Sequence, residues 1–256
     1  MNPDVAPTLL TAARDLSRAL GALRFGEPIA HVYDPLTYAW APYEAYVRKH
    51  GATRKRVVLL GMNPGPFGMM QTGVPFGEVA AVRDWIGIHA AVQRPRHEHP
   101  RRPIEGNACQ RSEVSGRRLW GWAAQRFGAA QAFFADWFVL NYCPLVFLED
   151  SGRNFTPDKL PAAQRQAVQA ACDRHLAAAL AALAPQWAIG VGAFAERRLR
   201  DVLQGDLVDG SLARQIHVGQ ILHPSPASPA ANRGWAEAVD RQLGQLGIAL
   251  PRPGAA

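Results

Sequence analysis

Three short turns carry the side chains best suited to chemistry. Asn63 opens Asn63-Pro64-Gly65-Pro66, Asn141 opens Asn141-Tyr142-Cys143-Pro144, and His223 opens His223-Pro224-Ser225-Pro226. A carboxamide offers one acceptor and one donor group, while an imidazole donates, accepts or carries charge near neutral pH. Pro64, Gly65, Pro66 and Gly68 form a rigid turn that directs backbone N–H groups outward, a geometry able to cradle carbonyl or phosphate oxygens. Alone, each turn is equally compatible with a stiffened loop; together they describe two amides and an imidazole around one crevice. The turns hold no carboxylate, and Glu149 and Asp150 lie well past the second of them. That pattern argues against a nuclease or phosphatase that holds magnesium on clustered Asp and Glu. His97-Glu98-His99, with Cys109 beyond, is a weak metal signature, because i, i+2 spacing in a proline-rich loop does not fix a ligand geometry.

The elements that must position these turns are legible as periodicity. Apolar, β-branched or aromatic runs at Val57 to Leu60, Trp137 to Leu140, Trp187 to Val191 and Gln215 to Leu222 read as four strands. Helical spacing occupies Glu78 to Ile88, Leu119 to Phe127, Pro161 to Leu183, Phe194 to Leu203 and Ala230 to Leu246, and Met1 to Leu23 reads as an amphipathic helix. Strands alternating with helices predict an α/β fold, a three-layer α/β/α arrangement around a central four-stranded, mainly parallel sheet. Ligand chemistry in such a sheet gathers at the carboxyl ends of the strands, where the three turns fall. The exit of the third run, Gly192-Ala193-Phe194, offers no polar side chain.

Composition narrows the class. The 256 residues are 48% hydrophobic and 19% charged, with a net charge of +7, which excludes a disordered or fibrous chain. Of the 28 cationic residues only Lys49, Lys55 and Lys159 are lysines. Arginine binds phosphate bidentately and stacks on bases, so the skew favours an anionic partner. Seven arginines (Arg94, Arg96, Arg101, Arg102, Arg111, Arg117, Arg118) stand against Glu98, Glu105 and Glu113 between Gln93 and Arg118, a stretch without clear periodicity. Three cysteines, Cys109, Cys143 and Cys172, fit a reducing compartment and cannot supply a four-thiolate cluster or zinc ribbon within one chain. No run approaches the ~20 apolar residues of a membrane span, so a soluble intracellular protein is expected.

At these turns the sequence resembles the single-strand-selective monofunctional uracil-DNA glycosylases. The resemblance rests on the block from Gly61 to Glu78, on Asn141-Tyr142-Cys143-Pro144, on Ser151-Gly152-Arg153-Asn154 and on His223-Pro224-Ser225-Pro226, and it spans about Val32 to Gly247. It implies one uracil-DNA glycosylase-like domain over residues 1–256, with residues 1–30 as a helical extension. It further implies an enzyme that flips uracil, or an oxidised pyrimidine such as 5-hydroxymethyluracil, out of DNA and hydrolyses its N-glycosidic bond without metal or cofactor. By this resemblance Asn63 and His223 are catalytic, and Met62, Gly65, Met69, Phe76 and Asn141 bind the base. Asn141 faces the Watson–Crick edge, Phe76 stacks on the ring, and His223 holds O2 as negative charge develops there. Asn63 stands where other uracil-DNA glycosylases carry an aspartate; an amide is no general base near neutral pH and can only orient water.

DNA is expected along two loops. The first, Ser151 to Arg165, supplies Ser151, Gly152, Arg153, Asn154, Lys159 and Arg165; the second, after His223, supplies Pro224, Ser225, Pro226 and Arg233 and resembles the wedge that fills the gap left by a flipped base. Ala227 and Ser228 depart from the pattern, since the vertebrate proteins carry Arg and Asn there. A shorter wedge predicts a stronger preference for single-stranded or mismatched DNA. No lysine lies at a strand exit, which predicts hydrolysis without Schiff-base lyase chemistry. Two other readings stay open. One is a DNA-binding protein without catalysis. The other is a Rossmann-type nucleotide site at Gly190, Gly192 and Ala195 with Asp209, a weak match after the third strand rather than the first. The expected partners are uracil-containing single- and double-stranded DNA. A monomer is expected, nucleoid-associated in the cytoplasm of a bacterium or nuclear in a eukaryote.

Overall fold

The computed structural model describes residues 5–252. In chain order its strands are β1 (His31–Tyr33), β2 (Val57–Gly61), β3 (Trp137–Asn141), β4 (Val146–Leu148), β5 (Asn154–Phe155), β6 (Trp187–Val191) and β7 (His217–Ile221). Strands β3-β2-β6-β7 form, in that order, a fully parallel sheet. Every residue of β2 and β3 is buried, as a parallel sheet covered on both faces requires, whereas the edge strand β7 alternates buried and exposed positions.

The helices are α1 (Val5–Gly21), α2 (Pro35–Tyr38), α3 (Trp40–His50), α4 (Met69–Thr72), α5 (Val114–Phe127), α6 (Ala130–Asp136), α7 (Ala162–Leu183), α8 (Ala193–Gln204), α9 (Gly210–Gln215), α10 (Pro229–Asn232) and α11 (Trp235–Gln245). They form two groups about the sheet: α1 on α7 with α8 against β6 and β7, and α5, α6 and α11, with α6 on β3 and α11 on β7. The result is the expected three-layer α/β/α fold. α1 buries Leu9, Leu10, Ala13, Leu16 and Leu20 in the main core; Met1 to Asp4 of its expected span lie outside the described residues. No helix among the described residues is long and apolar enough to cross a membrane.

Three boundaries depart from periodicity. The helix expected over Ala230 to Leu246 is broken into α10 and α11 at Gly234, whose φ of 126° no helix accepts. α5 begins at Val114, so the arginine-rich stretch ends as helix rather than loop. The helix expected over Glu78 to Ile88 shortens and widens into a π-helical turn, Ala81–Ile86. A second, antiparallel sheet, β1-β4-β5, has strands of two or three residues, too short to register as a period. It carries the turn after β4 and receives the arginine-rich stretch: His99 Nε2 meets the Asp150 carbonyl at 2.9 Å and Arg102 Nε donates to that of Gly152 at 2.8 Å.

Candidate active site

The exits of β2, β3 and β7 converge on one pocket of about 610 Å³. Its lining includes Met62, Asn63, Gly65, Phe76, Asn141, Asn154, His223, Ser225 and Pro226. Register brings the first two turns together, since Gly61 pairs with Asn141 across the sheet. Gly61 has to lack a side chain: a β-carbon there would collide with Asn141 Oδ1 and the Phe76 ring. The backbone thus lets an amide and an aromatic face close against the strand end.

Each polar group has a defined orientation. Asn63 Nδ2 donates to the carbonyls of Leu145 at 3.3 Å and Pro64 at 3.4 Å, which leaves Oδ1 as the face that can accept from a water. Asn141 is buried, and its Nδ2 meets Met69 Sδ at 3.3 Å. Met69 itself does not line the pocket; it braces the amide from behind. Phe76 is buried in the left-handed backbone region, φ 53°, an unfavourable conformation for an aromatic residue. Its carbonyl is held by Trp120 Nε1 at 3.0 Å and the Glu78 N–H at 2.7 Å, and its ring lies 6.5 Å from that of His223.

His223 is set by its own loop. The Ser225 N–H donates to Nδ1 at 3.1 Å, so the neutral ring carries its proton on Nε2. Burial pushes the imidazole pKa below its ordinary value. A neutral ring that presents Nε2–H is a hydrogen-bond donor suited to an oxygen gaining negative charge. Gly192, beyond β6, lies against His223; a β-carbon there would stand 3.2 Å from the histidine Cβ.

Although the three turns hold no carboxylate, Glu113 enters the pocket wall from the residue preceding α5. Its carboxyl fills the space that side chains at Gly65 and Gly68 would need. Oε2 is out of solvent contact and has no hydrogen-bond partner. Burial, and secondarily the nearby charge of Glu78, pushes its pKa up to about 7, against the pull of the Phe67 N–H. One of three acids in an arginine-rich stretch, 48 residues from Gly65, it gives no sequence signal of this contact.

The expected DNA contacts do not all reach the pocket. Asn154, Ser225 and Pro226 reach the pocket; Ser151, Arg153, Lys159 and Arg233 are exposed beyond it, while Gly152 and Pro224 are buried in their loops. Arg165 Nη1 donates to the Leu160 carbonyl at 3.3 Å and so ties down its own turn. Within the arginine-rich stretch, Arg111 lies over the Phe67 ring at 3.9 Å beside the pocket, and Arg118 is committed to protein carbonyls. Glu98 accepts the Ile104 N–H at 2.9 Å and His99 packs on the Asp150 carbonyl, which gives both internal roles. No group of three or more potential metal ligands gathers among the described residues. Asp209 caps α9 by accepting the Ser211 and Leu212 N–H groups, away from any strand end, so the dinucleotide match loses its acidic partner.

The sequence from residue 48 to 241 matches the family model of the uracil DNA glycosylase superfamily. The single-strand selective monofunctional uracil-DNA glycosylase of Rattus norvegicus is 47% identical over 91% of this chain and 82% of its own length. Its counterpart in Bos taurus is 46% identical over 91% of this chain and 84% of its own. The crystal structure of wild-type SMUG2 from Pedobacter heparinus superposes with a TM-score of 0.64 at 18% identity, covering 92% of this chain and 97% of that one, a likeness of fold. With the pocket at the strand ends and the family match across most of its length, the chain belongs to the uracil-DNA glycosylase superfamily.

Proposed function

We propose that this protein starts base-excision repair by flipping uracil out of DNA into the pocket and hydrolysing its N-glycosidic bond. It is a DNA glycosylase that removes uracil and leaves the sugar–phosphate backbone uncut. A stacked base is out of reach, so extrusion comes first. Phe76 stacks on the base, and Asn141 accepts from N3–H and donates to O4, a pattern cytosine cannot match. The C1′–N1 bond then breaks with its electron pair on the base. His223 Nε2–H and the N–H groups of the loop around Met62 and Gly65 stabilise the charge at O2, while Met69 braces the Asn141 amide from behind. The sugar cation takes a water oriented by Asn63 Oδ1, which releases its proton to solvent.

The observation that carries this reading is the convergence of Asn63, Phe76, Asn141 and a neutral His223 on one pocket. None of the three lysines lines it; Lys49 and Lys55 donate to the carbonyls of Gly87 and Phe134. The substrate range extends to 5-hydroxymethyluracil in this reading. Ser151, Arg153, Asn154 and Lys159 follow the strand on one side, and Ser225, Pro226 and Arg233 on the other, with Gly152, Arg165 and Pro224 shaping those loops from within. The enzyme acts as one domain and as a monomer, without cofactor, on the DNA of the nucleoid or nucleus.

The test uses end-labelled oligonucleotides carrying one uracil, treated with enzyme and then alkali. Alkali-dependent cleavage at uracil is expected. Retention of the oligonucleotide without base release would make the chain a binding protein, and a borohydride-trapped covalent adduct would overturn the monofunctional chemistry.

A further inference from the structure

The hydrogen bond that orients His223 is one half of a planar unit. The Ser225 N–H belongs to the Pro224–Ser225 peptide, and the carbonyl of that same peptide accepts from Arg118 Nη1 at 3.0 Å. A trans peptide is flat and places its C=O and N–H on opposite edges. Fixing one edge therefore fixes the direction of the other. Arg118 also donates from Nη1 to the Ser225 carbonyl at 3.3 Å and from Nη2 to Asn232 Oδ1 at 2.8 Å. Asn232 Nδ2 in turn donates to the Pro226 carbonyl at 2.9 Å, closing the network around the loop. Two prolines remove N–H donors from this tetrapeptide, so the carbonyls depend on donors from elsewhere.

From this we infer that Arg118 is a positioning residue for the reaction: it holds the Pro224–Ser225 peptide plane so that His223 keeps its proton on Nε2 and aims it at the departing base. The inference rests on the proposed role of His223. A guanidinium suits the task because its rigid fork reaches two carbonyls and an amide at once, which an ammonium does not. Its positive charge at the carbonyl also polarises the peptide and strengthens the N–H donor at the far edge. Arg118 spends its donors on protein groups, the two carbonyls part-buried and Asn232 at the surface, which draws it away from the phosphate-contacting surface. α5 is thereby a common brace: Arg118, which holds the His223 loop, lies two residues before Trp120, which holds Phe76.

Arg118→Lys and Arg118→Met, the single His223→Leu and the double Arg118→Met/His223→Leu are compared in single-turnover excision from uracil oligonucleotides. Binding is measured at several salt concentrations, with the 15N resonances of His223 followed in the free enzyme. Both Arg118 variants are expected to lower the maximal rate about tenfold or more while Kd stays within about threefold. The dependence of log Kd on log salt stays unchanged, the Nδ1–H tautomer of His223 appears, and the double variant is no slower than His223→Leu. A weakened Kd with a salt slope reduced by about 1 would instead make Arg118 a phosphate contact. Unchanged maximal rates, or losses that multiply in the double variant, would equally overturn the inference. If the Arg118 variants fail to fold, Asn232→Ala removes one arm of the network and must shift the same tautomer and rate in the same direction; an unaltered rate and spectrum there overturn the inference too. A wild-type rate in His223→Leu alone would remove the proposed function of His223, an outcome separate from these.

Discussion

Ser225 and His223 sit two residues apart, and the backbone N–H of the first points at Nδ1 of the second at 3.1 Å. This contact makes the histidine a neutral Nε2–H donor, and burial keeps it so by lowering its pKa. Its partner across the pocket, Asn63, is locked by two carbonyls with Oδ1 left for water. His223→Leu is expected to cut single-turnover excision by about two orders of magnitude, the usual loss of an oxyanion-hole donor, and Asn63→Ala by about as much through loss of the oriented water. Rates near wild type would take either residue out of the chemistry.

Asn141 carries base discrimination. Removing its amide leaves N3–H and O4 unpaired in a buried site, a cost of about 1–3 kcal/mol. Asn141→Ala is therefore expected to lower kcat/KM on uracil by about 10- to 100-fold, and a competition assay against cytosine-containing strands should show the preference shrink. An unaltered preference would place discrimination elsewhere.

Strand preference tests the wedge loop. Ser228 accepts the Ala231 N–H as the cap of α10, and Ala227 is exposed with only a methyl to offer the duplex. Excision from single strands should exceed that from paired uracil, and Ala227→Arg should narrow the ratio by raising the duplex rate. Equal wild-type rates on the two substrates would contradict the expectation.

Glu113 predicts an alkaline limit. With its pKa raised to about 7, the carboxyl is neutral below that pH and anionic above it, beside the loop where the departing base accumulates negative charge. Like charges repel, so the excision rate should fall as pH rises through about 7. Glu113→Gln, which is neutral throughout, should flatten that limb; an identical pH profile in the variant would exclude Glu113 as its source.

Two buried histidines predict acid lability. His50, stacked on Phe134 and bonded to the Ile86 carbonyl, and His175 both have pKa values lowered by burial to about 4 from 6.5. Between those values the unfolded chain binds protons that the native state refuses, so stability is full above 6.5 and lost as pH falls toward 4. Glu113, with its raised pKa, works in the opposite sense and offsets part of this loss, so the midpoint of thermal unfolding should drop by only about 3–6 °C between pH 7 and pH 5. His50→Asn or His175→Leu should weaken that dependence, even where the variant is less stable overall.

The four strands of the parallel sheet and the three turns at their ends were legible in the chain because burial on both faces demands apolar runs such as Val57 to Leu60 and Trp137 to Leu140, whereas the order β3-β2-β6-β7 was not. The Gly61 to Glu78 block and the His223 loop likewise pointed to uracil excision before any contact was known. Periodicity had no hold on β4 and β5, whose pairing depends on partners far along the chain rather than on their two or three residues. Local signals also could not show that Glu113 fills the space beside Gly65 and Gly68, or that Arg118 spends its charge on the Pro224 and Ser225 carbonyls instead of on phosphate. Residue types and short-range spacing set which chemistry the chain can carry. Which charges face the pocket, which face solvent and which brace a loop is decided only when segments 50 to 100 residues apart pack together, because burial and hydrogen-bond partners are properties of that packing.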